Sequence, residues 1–188
     1  MTVAVAVAFA LAAQAEPAIA DDCMIALAAI SQPGPRFADF PAPPEAGIKP
    51  VPVDLSSHPE AREFRSQIRS DARAGPNFAG HFTIVGWGCG TACLQWGVVD
   101  ALTGKVWFEP GVEVVSVDHV ADEPHPAPGV NTEFYNLRFR LDSRLMVILG
   151  APGEVEAREG VGYYLWDGKA FALVKFIPRK DACASSAP

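Results

Sequence analysis

The chain is short of positive charge: 15 lysines and arginines face 22 aspartates and glutamates, for a formal net charge of −7. That balance excludes nucleic acid and anionic lipid as bulk electrostatic partners, because both call for a basic surface. Beyond the N-terminal stretch there is no apolar run approaching the roughly 20 residues that a membrane span needs. No G-x-S-x-G elbow, H-E-x-x-H pair or P-loop occurs, so the local signatures of serine hydrolases, zinc proteases and phosphate cradles are missing. No segment repeats at a fixed period, which removes solenoids and propellers. Together these absences imply no cofactor and lean away from an enzyme. They leave open a site assembled in three dimensions from dispersed histidines and carboxylates.

What is present begins with "MTVAVAVAFALAAQAEPAIADD". Val3 to Ala13 is apolar and uncharged, and the small-x-small sites Ala13-Gln14-Ala15 and Ala18-Ile19-Ala20 follow it. This is the grammar of a signal peptide, although no lysine or arginine precedes the apolar run. Residues 1–20 are therefore expected to be a cleaved leader, and the mature chain to be periplasmic or secreted. Cys23, Cys89, Cys93 and Cys183 form an even set, which in an oxidising compartment reads as two disulfides. The expected pairs are Cys89 with Cys93 and Cys23 with Cys183, since each end of the chain carries one cysteine outside the expected core.

Residues 21–56 read as an extended arm. "SQPGPRFADFPAPPEAGIKPVPVD" carries seven prolines, each fixing its own φ and pushing its predecessor out of the helical region. Phe37, Phe40, Ile48, Val51 and Val53 are placed to pin that arm across the remaining domain, 57–188. One helix is expected there. Ser57-His58-Pro59-Glu60 has the pattern of a capping box, Ala61, Phe64, Ile68 and Ala72 recur on one face, and Gly75-Pro76 ends it. Arg62, Arg65, Arg69 and Arg73 form a second stripe. They suit either docking of an acidic partner or, as expected here, a solvated face paired with Glu63, Asp71 and nearby acids.

After Gly80 the pattern becomes β-branched and aromatic. "HFTIVGW", "LQWGVVD", "VWFE", "VEVVSV", "LMVILG" and the hairpin "GYYLWDGKAFALVKF" around Asp167-Gly168 are expected strands. Tyr135, Leu137, Phe139 and Leu141 alternate with Asn136, Arg138, Arg140 and Asp142, which predicts a half-buried strand with a wet face. Residues 118–132 read as a proline-rich loop. About eight strands in meander-like order, without a βαβ rhythm, give an α+β fold: a mostly antiparallel sheet with one amphipathic helix packed on it.

The segment "GWGCGTACLQWG" places Cys89 and Cys93 between Trp87 and Trp96. Thioredoxin-like redox chemistry needs C-x-x-C at a helix N-terminus; here the spacing is C-x-x-x-C and the flanks are strands. Copper-delivery proteins share the spacing but bring a βαβ pattern that is missing here, and His81 lies too far along its strand to join the pair. Asp118, His119, Asp122, Glu123 and His125 supply oxygen and imidazole without a metal-binding spacing, so no metal site is expected. A disulfide-closed hairpin needs nothing further. Closing so short a loop contributes about 2 kcal/mol and fixes the loop's shape before a partner arrives. Trp87, Gly90, Thr91, Ala92 and Gln95 are then the candidate contact residues. Trp107 and Trp166 are expected in the core, and His81 is expected to be a hydrogen-bonded residue at a strand start.

Two resemblances follow from these residues. "NFAGHFTIVGWGCGTACLQWGVVDALTGKVWF", with "SRLMVILG" and "YYLWDGKAF", resembles a group of uncharacterised exported bacterial proteins. Residues 81–109, a strand, a short Cys-closed loop, a strand, a turn and a strand, resemble the periplasmic inhibitors of vertebrate-type lysozyme. In that family a disulfide-closed loop enters the enzyme's cleft, which implies contact roles for Gly90, Thr91 and Ala92; the loop here has no basic or histidine tip. The reading is an exported binding or inhibitor-like domain that presents the Cys89–Cys93 loop to a protein partner in the cell envelope. The alternatives are an exported hydrolase or metal- or redox-handling protein using His81, His119, His125 or the cysteine pair, and a structural envelope module.

Overall fold

A computed structural model describes residues 23–122, 128–131 and 133–184. The expected leader, residues 1–20, lies outside them. One antiparallel sheet dominates the fold. Its path runs β2 (Phe82–Gly90), β3 (Cys93–Asp100), β5 (Val114–Ser116), β7 (Leu145–Pro152), β8 (Gly160–Trp166) and β9 (Phe171–Pro178). Two short strands complete it: β4 (Val106–Trp107) shares an edge of β3 with β5, and β6 (Leu137–Arg138) shares an edge of β7. These eight strands and, among the described residues, a single α-helix make the α+β, mostly antiparallel fold that the strand grammar predicts. A ninth and a tenth strand, β1 (Met24–Ile25) and β10 (Cys183–Ala184), pair beside the Cys23–Cys183 disulfide and bring the two ends of the described chain together. Among the described residues no helix is long and apolar enough to cross a membrane.

Burial follows the sequence pattern. Every residue of β7 is buried, as its apolar run on both faces requires, and it lies inside the sheet. The main core gathers Trp96, Trp166, Phe78, Phe139, Ile84, Leu137 and Met146, all at most 1% exposed. Trp107 is only half-buried and meets Trp166 edge to face at 6.1 Å. A smaller core lies between the sheet and α1 (Arg65–Ala72), where Ala61, Ile68 and Ala72 pack on Val85, Val99, Val106 and Phe108. Burying Ile68 alone contributes about 2 kcal/mol.

Three local expectations are corrected. The capping box does not form. Ser57 gives its hydroxyl hydrogen to the Asp54 carbonyl and accepts from the Val106 N–H, so it ties the arm to β4. His58 becomes the cap instead, its Nδ1 accepting from the Glu60 N–H at 3.4 Å. The first turn, Pro59–Arg62, is consequently a 3-10 helix, and the α-helix begins only at Arg65. The strand expected over residues 135–142 shrinks to Leu137–Arg138, and its wet face is dry at Asn136 (0% exposed) and Arg138 (4%). Both sit beside β7, where Asn136 exchanges hydrogen bonds with Leu149 and the Arg138 guanidinium donates to the Tyr135 and Leu137 carbonyls. The expected ion pairs of the arginine stripe are the third correction: none of its four guanidiniums lies in one among the described residues.

The arm is laid onto the domain by backbone bonds: Ala42 N–H to Asp142, Val51 N–H to Ala101 and Asp54 N–H to Gly104. Its first part crosses β8 and β9. The Lys175 ammonium donates to the Pro33 carbonyl at 3.0 Å, and a Cβ at Gly34 would fall 2.3 Å from the Tyr163 hydroxyl oxygen. Phe37 and Phe40 pack on the main core from this arm, while Val51 stays exposed.

Candidate functional site

The hairpin β2–β3 ends in the Cys89–Cys93 disulfide. Its register is regular from Phe82↔Asp100 to Gly88↔Leu94 and then shifts, so that Gly90 faces Cys93 across a bulge. Glycine at position 90 permits φ 148°, and Ala92 takes φ 49°, a left-handed conformation. That geometry, with the cystine, closes a tight end on two strands. Gly88, Cys89, Gly90 and Thr91 are exposed. Ala92 turns back toward the main core, and its carbonyl accepts the Val117 N–H at 2.8 Å. Strand β5 braces the same side, with Cys93 opposite Ser116 and Leu94 opposite Val115.

The base of the hairpin is held from the other side by the helical segment. Trp87 stacks on Phe64 with ring centroids 4.4 Å apart and meets Phe108 edge to face at 6.1 Å. Its indole N–H donates to Gln95 Oε1 at 3.2 Å, and Gln95 Nε2 donates to Glu60 Oε2 at 3.3 Å. Trp87 and Gln95 stand directly opposite one another across the ladder. The five candidate contact residues thus divide: Gly90 and Thr91 form the exposed tip, Ala92 is half-buried beneath it, and Trp87 with Gln95 forms its foundation. Sequence reading missed Phe64, Phe108 and Glu60 as members of this assembly. Pattern-level signals existed for Glu60, as a helix cap, and for Phe64, on the apolar face of the helix, but neither pointed to the hairpin. The outer edge of β2 is occupied too. Asn77 exchanges two bonds with Ile84, and the Gly86 N–H donates to Asp71 Oδ2 at 3.2 Å. Burial pushes the Asp71 carboxyl above its ordinary range, against the opposing pull of that N–H.

The segment from Gly86 to Gly97 contains no ionisable side chain apart from its oxidised cysteines. The tip therefore offers backbone groups, one hydroxyl and little bulk. It can enter a cleft without burying a charge.

His81 and His119 lie apart from this tip in role and partners, whereas His58 packs on Phe108 at 4.9 Å and caps the turn at Glu60. His81 sits just before β2, its Nδ1 3.2 Å from Glu45 and its Nε2 3.9 Å from Asp100, while Asp100 is occupied by the Leu102 N–H and the Thr103 hydroxyl. His119 lies 2.6 Å from Glu159 through Nδ1, and Glu159 also pairs with Arg179 at 3.2 Å. Arg179 in turn donates to the Cys23 carbonyl, so this triad belongs to the seam at the terminal disulfide. No serine, threonine or cysteine is hydrogen-bonded to His119 or His81 among the described residues. Asp118 accepts from the Ser116 hydroxyl; Glu123 and His125 lie outside the described residues. The described residues hold no group of three side chains arranged to bind a metal ion, and all four cysteines are paired. Comparison of the chain with protein families, with curated proteins and with solved structures finds no match.

Proposed function

We propose that the protein is an exported binding or inhibitor-like domain whose Cys89–Cys93 hairpin tip inserts into a concave site on a protein partner of the cell envelope. One observation carries the reading: the tip projects as small exposed residues while its base is fixed on three sides. The disulfide closes it, the Trp87–Phe64 stack and the Gln95–Glu60 bond hold one face, and Val117 holds Ala92 from the other. A loop held this way loses little conformational freedom on binding, so more of its contact energy appears as affinity. Two disulfides and the leader-like N-terminus agree with an envelope setting. The resemblance to lysozyme inhibitors makes a cleft-bearing glycan hydrolase the first partner class to try.

The test is capture of vertebrate-type lysozyme on immobilised oxidised protein, alongside inhibition of cell-wall lysis. Thr91→Arg should weaken capture at least about tenfold, because a bulky charge enters the contact, while the melting temperature stays put. Equal capture by the wild type and this variant would remove the tip from the interface. Absence of capture for every cleft-bearing hydrolase tried would refute the inhibitor reading.

A further inference from the structure

The arginine stripe is a second, separate surface. Arg62, Arg65, Arg69 and Arg73 are all exposed, spaced three, four and four residues apart along the helical segment. On this segment the acids that would neutralise them are committed elsewhere. Glu60 accepts from Gln95, and Asp71 turns under the helix to the Gly86 N–H. Only Glu63 remains on the outside, and it pairs with none of the four. Among the described residues, the one polar contact of these four guanidiniums is Arg65 donating to the Arg62 carbonyl. A helix face bearing four cations and one anion therefore stands on a chain whose net charge is −7.

Beside that face runs a groove of ≈ 400 Å³ between α1 and the arm, with Val51, Pro52 and Val53 on one wall and Arg69, Ala72 and Arg73 on the other. Val51 is 39% exposed there. One wall is an extended proline-valine strap and the other a helix edge with two guanidiniums. Such a groove matches a ligand that offers carboxylates and apolar side chains together on an extended backbone. A polyanion carrying charge alone would leave the valine and proline wall unused.

We infer that this groove and stripe dock an extended acidic polypeptide segment bearing apolar side chains, with carboxylates on Arg69 and Arg73 and an apolar residue against Val51. The chain's net charge of −7 sharpens the choice, because it repels acidic chains that do not place their carboxylates on the stripe. Arginine suits the task, since its planar fork meets a carboxylate with two parallel bonds.

The experiment is a fluorescence-anisotropy titration of oxidised full chain with a labelled peptide alternating glutamate with valine and proline. Saturable binding that weakens as salt rises is expected. The double variant Arg69→Glu/Arg73→Glu should lose at least about tenfold in affinity, as charge reversal at two rim pairs implies. Val51→Ser should weaken the peptide several-fold, and Thr91→Arg should leave it unchanged. These positions are exposed, and circular dichroism verifies that each variant folds; the salt dependence of the wild type is a readout that needs no variant. Equal binding of a peptide with lysine for glutamate, or of the double variant, would overturn the proposal. So would displacement of the peptide by inorganic polyphosphate together with indifference to Val51→Ser, which would mark the surface as a phosphate-polymer site.

Discussion

The two disulfides close loops of very different length, and their contributions to stability should differ accordingly. Cys23 and Cys183 are 160 residues apart, Cys89 and Cys93 only 4. On the chain-entropy account the long loop contributes about 5 kcal/mol and the short one about 2. Changing each pair to alanine removes two sulfurs in both cases, so that loss largely cancels in the comparison. What does not cancel runs in the same direction, because Cys23 is 5% exposed whereas Cys89 is exposed. With a urea slope of about 2 kcal/mol per molar, C23A/C183A should lower the unfolding midpoint by roughly 2.5 M and C89A/C93A by roughly 1 M. Urea titration followed by tryptophan fluorescence reads both, with four tryptophans reporting. Equal shifts, or a larger shift for the hairpin pair, would refute the reasoning. The seam at the chain ends would then owe its stability to β1–β10 pairing and the Glu159–Arg179 bridge.

Two further outcomes are expected. Asp71 has its folded carboxyl raised by burial, so the folded state holds its proton more tightly than the unfolded chain. Its ionisation therefore costs stability as pH rises from the ordinary aspartate range through the raised value. Asp71→Asn should raise the melting temperature at neutral pH, give no gain below that window, and flatten the decline between; a melting temperature lowered at neutral pH would contradict this. Gly104→Ala places a Cβ 2.3 Å from the Pro52 carbonyl oxygen at φ 74°, a left-handed conformation that costs about 1–3 kcal/mol outside glycine. Limited proteolysis should then cut the arm near residues 50–54 faster than in the wild type, and an unchanged cleavage rate would show that the arm is not latched at that turn.

How much of this was legible from residues alone depends on the range of the physics involved. The strands read correctly where side chains run apolar or a turn dipeptide joins two such runs, because pairing and burial there are decided locally; β7 and the Asp167-Gly168 hairpin are examples. The apolar face of the helix was equally plain. Its start was not: Ser57 could cap the turn or bridge the arm to β4, and only the fold brings Val106 to its hydroxyl. Asn136 and Arg138 alternate like solvent-facing residues, yet the fold buries both beside β7, where Asn136 reaches the Leu149 carbonyl and Arg138 turns back to the carbonyls of Tyr135 and Leu137. The disulfide pairing was readable because each chain end carries one cysteine and the other two are close neighbours. The partners of Trp87 were beyond reach, since Phe64 and Phe108 are each about 20 residues away in sequence, and Phe64 meets it through the packing of α1 on β2 while Phe108 meets it from the end of β4. His119, Glu159 and Arg179 likewise share no spacing that a motif could express.

The arm that crosses β8 and β9 has little secondary structure of its own. It is held by what it touches, and at its beginning by the Cys23–Cys183 clasp. A freshly made chain whose thiols are still reduced has that clasp open, and the start of the strip that seals Tyr163 and seats Phe37 and Phe40 is then left to hydrogen bonds and packing. Oxidation of a single pair of cysteines thus turns the start of the arm from a set of weak contacts into a covalently closed seam.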